Sequence, residues 1–157
     1  MDDGLFQEII EDVDSMSPEQ LQSLHEQIKA SGREEYKRNL YAVIERALTT
    51  SIMAHREGLL ALENSLDSDK VANRDIFDYG LRFAVDGTDT EFTDKILSNL
   101  IKQEKDEYQI TLKTIQKEAV LAIQEGLNPR MLAYLLNSYT DIPLSDPAFK
   151  RIWTGIA

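Results

Sequence analysis

Two long stretches of helical periodicity constrain this chain more than any other feature. From Arg33 to about Leu66 no proline occurs, and Tyr36, Leu40, Val43, Ala47, Leu48, Ile52, Leu59, Leu62 and Leu66 recur at spacings of three, four or seven with little drift. That repeat lines one face of an α-helix, and such a run predicts a rod about 45–50 Å long at 1.5 Å per residue. Gly58, in the small-residue break HREG, weakens it by about 1 kcal/mol relative to alanine; it marks a kink or the close approach of another helix, or is tolerated in a packed hairpin, which is the preferred reading. From Thr90 to Glu125 a second stripe follows: Phe92, Ile96, Leu100, Ile101, Tyr108, Leu112, Ile115, Ala119 and Ala122, with KQEKDE at 102–107 as its solvated stretch. Two such helices pair most naturally antiparallel. The expected fold class is therefore all-α, an elongated antiparallel helical hairpin or bundle with two long helices and several short ones.

Local signals punctuate the remainder. Leu5, Phe6, Ile9, Ile10 and Val13 make a narrow apolar stripe on an acidic segment, read as a short first helix. Ser17-Pro18-Glu19-Gln20 has the order of a capping box with proline at the first helical position, and Gly32 reads as the stop of a short helix carrying Leu21, Leu24 and Ile28. Asp67 to Asp75 is a polar connection; Asp75 can cap a short helix, and Val85-Asp86-Gly87-Thr88-Asp89 is a turn whose glycine tolerates positive φ. Gly126 ends the second long helix, and Asn128-Pro129 and Asp146-Pro147 open two more. One domain is expected, with short helices over 1–32, a long-helix hairpin over 33–125 and short helices over 126–157.

The balance of charge narrows the partners. With 28 acidic against 17 basic residues the net charge is −11, which disfavours nonspecific binding to nucleic acid or anionic lipid. No apolar run approaches the roughly 20 residues needed to span a bilayer, so no membrane insertion is expected. The start, MDDGLFQEIIEDVD, has no basic n-region or apolar h-region, and there is no cysteine; both fit a cytoplasmic location.

Reactive constellations are missing. His25 and His55 have no HExxH or CxxC context, and GxSxG, GxGxxG and phosphate-loop patterns do not occur. The aspartates around Gly87 do not follow the alternation of an EF-hand, and turn formation and helix capping account for them. No enzyme activity, metal or cofactor is expected.

The cluster His55, Arg56, Glu57 and Glu63 then stands out as alternating charge within about two helical turns, suited to steering a partner. REGLLALE, followed some twenty residues later by GLRFAVDGTD, resembles the cytoplasmic region of the MotA/TolQ/ExbB proton-channel family, as found in the flagellar stator subunit. The resemblance covers roughly a quarter to a third of the chain. Members carry this region between membrane helices that conduct ions, so a chain without such helices is not expected to be the channel. In that family a basic residue eight positions before the motif glutamate, together with that glutamate, engages the rotor protein FliG. The matching positions here are His55 and Glu63. Histidine is mostly neutral near pH 7, which moves the basic role toward Arg56. Gly58, Asp86, Gly87, Thr88 and Asp89 fall at the turns.

The resemblance implies a soluble, non-enzymatic protein-interaction module that binds a flagellar rotor switch protein such as FliG, or a stator component, and modulates motor assembly or torque. A helical adaptor unrelated to motility is the alternative, and a second copy of the chain could complete the apolar stripes as a homodimer.

Overall fold

The structure, a computed structural model, describes residues 17–66 and 75–156. The stripe over residues 5–13 and most of the polar connection lie outside them. Among the described residues the chain is all-helical, without strands, and no helix is long and apolar enough to cross a membrane. The elements are α1 (Pro18–Glu57), a 3₁₀ helix (Leu59–Ser65), α2 (Ile76–Val85), α3 (Thr90–Lys102), α4 (Glu107–Gln124), α5 (Pro129–Asn137) and α6 (Pro147–Ile156). The chain divides into two compact units, residues 1–39 and 40–157.

In the first unit the expected capping box is present. The Ser17 amide donates to Gln20 Oε1 at 2.9 Å and the Gln20 amide to Ser17 Oγ at 3.2 Å. The stop expected at Gly32 is absent, and the helix continues through it. Positive φ occurs at Gly58, Gly87 and Gly126 but not at Gly32, so the left-handed residue that closes a helix is missing. Leu21 and Ile28, two of the apolar residues this helix carries, are exposed.

In the second unit Leu40, Tyr41, Ile44, Ala47, Leu48 and Ser51 form the buried face of α1. That helix ends at Glu57 instead of running to Leu66. Gly58 adopts φ 90° and ψ 163°, far from helical values, so the glycine is the turn read at HREG and not a residue tolerated inside a continuous helix. LLALE is then a 3₁₀ turn, which buries Leu62 and Leu66 but leaves Leu60 72% exposed.

The second long helix is also divided. Glu104 accepts the amides of Lys105 and Asp106 and pairs with Lys113 at 2.9 Å, while Asp106 caps α4 through the Tyr108 amide. The acids of KQEKDE therefore close a turn and start a helix, where a solvated helical face was expected. The break creates an antiparallel hairpin of α3 and α4, in which Asp94 meets Lys117 near one end and Glu104 meets Lys113 at the other. The pairing expected between the two long helices does not form. Val43 shares a groove with Leu112, Lys113 and Gln116, and Ser51 to Gly58 share another with Ile123 to Leu127, so α1 and α4 run in the same direction.

Helix α2 begins at Asp75 as expected, in a capping box with Asp78. Arg46 of α1 binds both carboxylates, at 2.8 and 2.6 Å, and its guanidinium lies 4.8 Å from the Phe77 ring centroid. Burial raises the Asp75 carboxyl, but the Asp78 amide and the Arg46 charge outweigh it and hold its pKa below the usual value. Gly80 of α2 lies against Val120 of α4, where any side chain would collide. Asn137 joins α5 to the rest: Tyr41 Oη donates to its Oδ1 at 2.6 Å, and its Nδ2 donates to the Ile142 carbonyl at 2.9 Å.

Candidate functional site

The charge cluster sits where α1 stops. His55 and Arg56 occupy its last turn, Glu57 is its final residue, and all three are exposed. Glu63 is exposed on the 3₁₀ helix. The cluster was expected on one continuous helix, but Gly58 divides it into two backbone segments. None of the four forms a salt bridge among the described residues. Some other charges of the second unit are paired; Lys117, for example, reaches Asp94 at 3.0 Å and Glu118 at 3.4 Å.

Behind the cluster lies a cavity of about 310 Å³ lined by Ser51, Ala54, His55, Gly58, Leu59 and, from the end of α4, Ile123, Gln124, Gly126 and Leu127. Two helices terminate on it, each followed within two residues by a positive-φ glycine, φ 90° at Gly58 and 72° at Gly126. The Leu127 amide returns to the Ala122 carbonyl at 2.9 Å, the long closure that such a glycine permits. Glycine also leaves the wall open, since a Cβ at either position would meet nothing within 4 Å. The cavity offers apolar walls, a buried serine and the edge of an imidazole. Among its lining residues there is no carboxylate.

The second motif reaches the same place through a residue that sequence reasoning missed. Gln124 Nε2 donates to the Thr88 carbonyl at 3.0 Å, while its buried Oε1 has no hydrogen-bond partner among the described residues. The turn holding Thr88 is built as expected: Gly87 has φ 77°, the Thr88 amide returns to the Phe83 carbonyl at 2.9 Å, and Asp86 faces Arg82 at 3.9 Å. Asp89 starts α3 by accepting the Glu91 amide at 2.9 Å. The structure thus brings His55 and Gly58 to one side of Gln124 and Thr88 to the other. The only local signal for Gln124 was its place just before Glu125-Gly126.

Other polar clusters serve packing. Lys117 is drawn down by burial, but the hydrogen bond with Asp94 and the charges of Glu118 and Asp94 outweigh this and hold it above the usual lysine value. The Lys117 ammonium in turn holds the Asp94 carboxyl below its usual range. A larger groove of about 510 Å³ between Asp75 and Gln116 is walled by Ile76, Leu100 and Leu112 and rimmed by the Glu104–Lys113 pair. Among the described residues no three His, Asp or Glu side chains gather as metal ligands. No protein-family model matches the chain, and no curated protein or solved structure is significantly similar to it.

Proposed function

We propose that the chain is a non-enzymatic protein-interaction module of the cytoplasm that binds a rotor switch protein such as FliG, or a stator component, through the surface at the end of α1. One observation supports this reading: His55, Arg56, Glu57 and Glu63 are all exposed and without salt-bridge partners among the described residues, beside a cavity and the 72%-exposed Leu60. Exposed charge around an apolar anchor suits a docking site, where the charges set encounter and register and the apolar group adds affinity. The likeness of REGLLALE and GLRFAVDGTD to the stator region supplies the class of partner.

The test is affinity capture of tagged wild-type chain and a Glu63→Lys variant from the native cytoplasm, compared by mass spectrometry. Rotor or stator proteins recovered with wild type alone support the reading. Their absence, or equal recovery by both baits with the melting midpoint unchanged, refutes it.

A further inference from the structure

The groove of about 510 Å³ beside α4 carries a polar pattern that the packing of the helices does not use. Its floor is apolar, built from Val43, Ile76, Leu100 and Leu112. Three carboxamides also line it: Gln103 at the end of α3, and Gln109 and Gln116 on α4. Gln116 makes one long hydrogen bond, at 3.4 Å to Asp75 Oδ2, and the side chains of Gln103 and Gln109 make none among the described residues. The charged side chains of the lining are Asp75, Glu104 and Lys113, and each is already neutralised. Asp75 meets Arg46 at 2.8 Å, and Glu104 and Lys113 meet one another at 2.9 Å. A charged ligand finds no unpaired counter-charge in the groove, so the occupant that complements it is uncharged and rich in hydrogen-bonding groups.

A carboxamide offers an acceptor and two donors, which complement the single C=O and N–H of a peptide group. Gln109 and Gln116 are seven positions apart, two turns along one face of α4, a separation of about 10.5 Å at 1.5 Å per residue. An extended chain advances about 3.3–3.6 Å per residue, so about three of its residues span the two carboxamides. A helical segment has its backbone groups bonded internally, whereas an extended one presents them to whatever lies alongside.

We propose that this groove binds an uncharged, extended peptide segment of a partner protein through its main chain. Gln109 and Gln116 bond peptide groups at the two ends of a three-residue run, and Gln103 bonds a group that points the other way. An apolar side chain of the run enters the floor between Leu100 and Leu112. Main-chain bonds of this kind supply affinity, and the floor selects the side chain. A nucleobase also suits a carboxamide, but the phosphates of a nucleic acid would be repelled by a chain of net charge −11. The groove shares no lining residue with the cavity behind the His55–Glu63 surface, so the two sites can fail separately.

The probe is a displayed library of random heptapeptides, selected on the full-length protein; enriched peptides are then synthesised with a fluorescent label and titrated by anisotropy. The expected result is a shared run of about three uncharged residues, one of them apolar, whose affinity is the same in low and high salt. Affinity should fall about ten-fold or more in a Gln109→Ala, Gln116→Ala variant that melts like its parent, since two main-chain hydrogen bonds are lost. Methylating the backbone nitrogens of the run removes its donors while keeping every side chain, and should weaken binding to the unaltered protein likewise. No enriched peptide, equal binding by the variant, indifference to backbone methylation, or tighter binding of adenosine than of any selected peptide would overturn the proposal. So would self-association of the chain that the two glutamine substitutions abolish, which would make a second copy the occupant. Binding that Glu63→Lys removes and the glutamine variant retains would place the peptide on the other surface and overturn it as well.

Discussion

Replacing Gly80 with alanine tests the closest helix crossing in the second unit. A Cβ at that position would lie 2.5 and 2.7 Å from the two Val120 methyls and 3.0 Å from its Cβ, where ordinary contact is 3.4–4 Å. Both residues are buried, Val120 completely. Because both methyls stand in the way, and valine in a helix keeps one strongly preferred χ1 rotamer, rotation exchanges one clash for another. Relief then requires α2 to move away from α4 by about 1 Å. Overpacking of this kind costs about 1–3 kcal/mol, and a displacement forced by two methyls belongs near the upper end. Alanine returns about 1 kcal/mol of helix propensity, leaving a net loss of roughly 2 kcal/mol. For a chain of this size that lowers the melting midpoint by about 4–8 °C. Chemical denaturation should give the same loss with an unchanged slope. Val120→Ala alone should cost about 2 kcal/mol by leaving a cavity, and the double variant should be less damaged than the two losses added, with a coupling of at least about 1 kcal/mol. A Gly80→Ala protein at or above the wild-type midpoint, or strict additivity in the cycle, would refute the argument.

Two further outcomes follow from the polar pairs Tyr41–Asn137 and Asp94–Lys117. Tyr41→Phe leaves the buried Asn137 Oδ1 without its donor and should cost about 1–3 kcal/mol. Burial, aided by the Asp146 charge, pushes the Tyr41 hydroxyl from 10.0 up to about 12. The native state therefore favours the protonated form, so its contribution is complete below pH 10 and is lost as pH rises from 10 to 12; denaturant midpoints across that range should fall more steeply for wild type than for the variant. Asp94 behaves in the opposite sense. Its carboxyl is held below 3.8, chiefly by the hydrogen bond from Lys117, so its contribution is present above that value and disappears as pH falls through the native pKa. Asp94→Asn should flatten the acid limb of stability, and identical acid limbs would show that the Lys117 pair does not stabilise the fold.

The helix starts were legible because capping is local. Ser17, Asp75, Asp89, Asn128 and Asp146 each act on an amide no more than three residues ahead, within reach of a sequence pattern. The breaks were less legible. Gly32 and Gly58 occupy similar periodic settings, yet only Gly58 leaves the helix, where Leu62 and Leu66 gain burial by turning. At the division of the second long helix Glu104 and Asp106 accept local amides and Lys113 reaches back nine positions to Glu104, interactions that apolar periodicity does not record. The direction of α1 against α4 was misread for the same reason, since one unrecognised turn reverses every later helix. Of the candidate site, the charged residues and the Gly87 turn were readable as surface and punctuation. Gln124 was not, because its importance lies in a bond to a carbonyl 36 positions away.

The separations spanned by these contacts also set an order of assembly. Within the α3–α4 hairpin the side-chain bonds join residues nine and 19 positions apart, whereas the Tyr41–Asn137 bond closes a loop of 96. Loop-closure entropy grows with length, and chains rich in local contacts fold faster. The middle of the chain should therefore fold first, with the α3–α4 hairpin as its nucleus. The Tyr41–Asn137 latch should form last and, on unfolding, be among the first contacts to open.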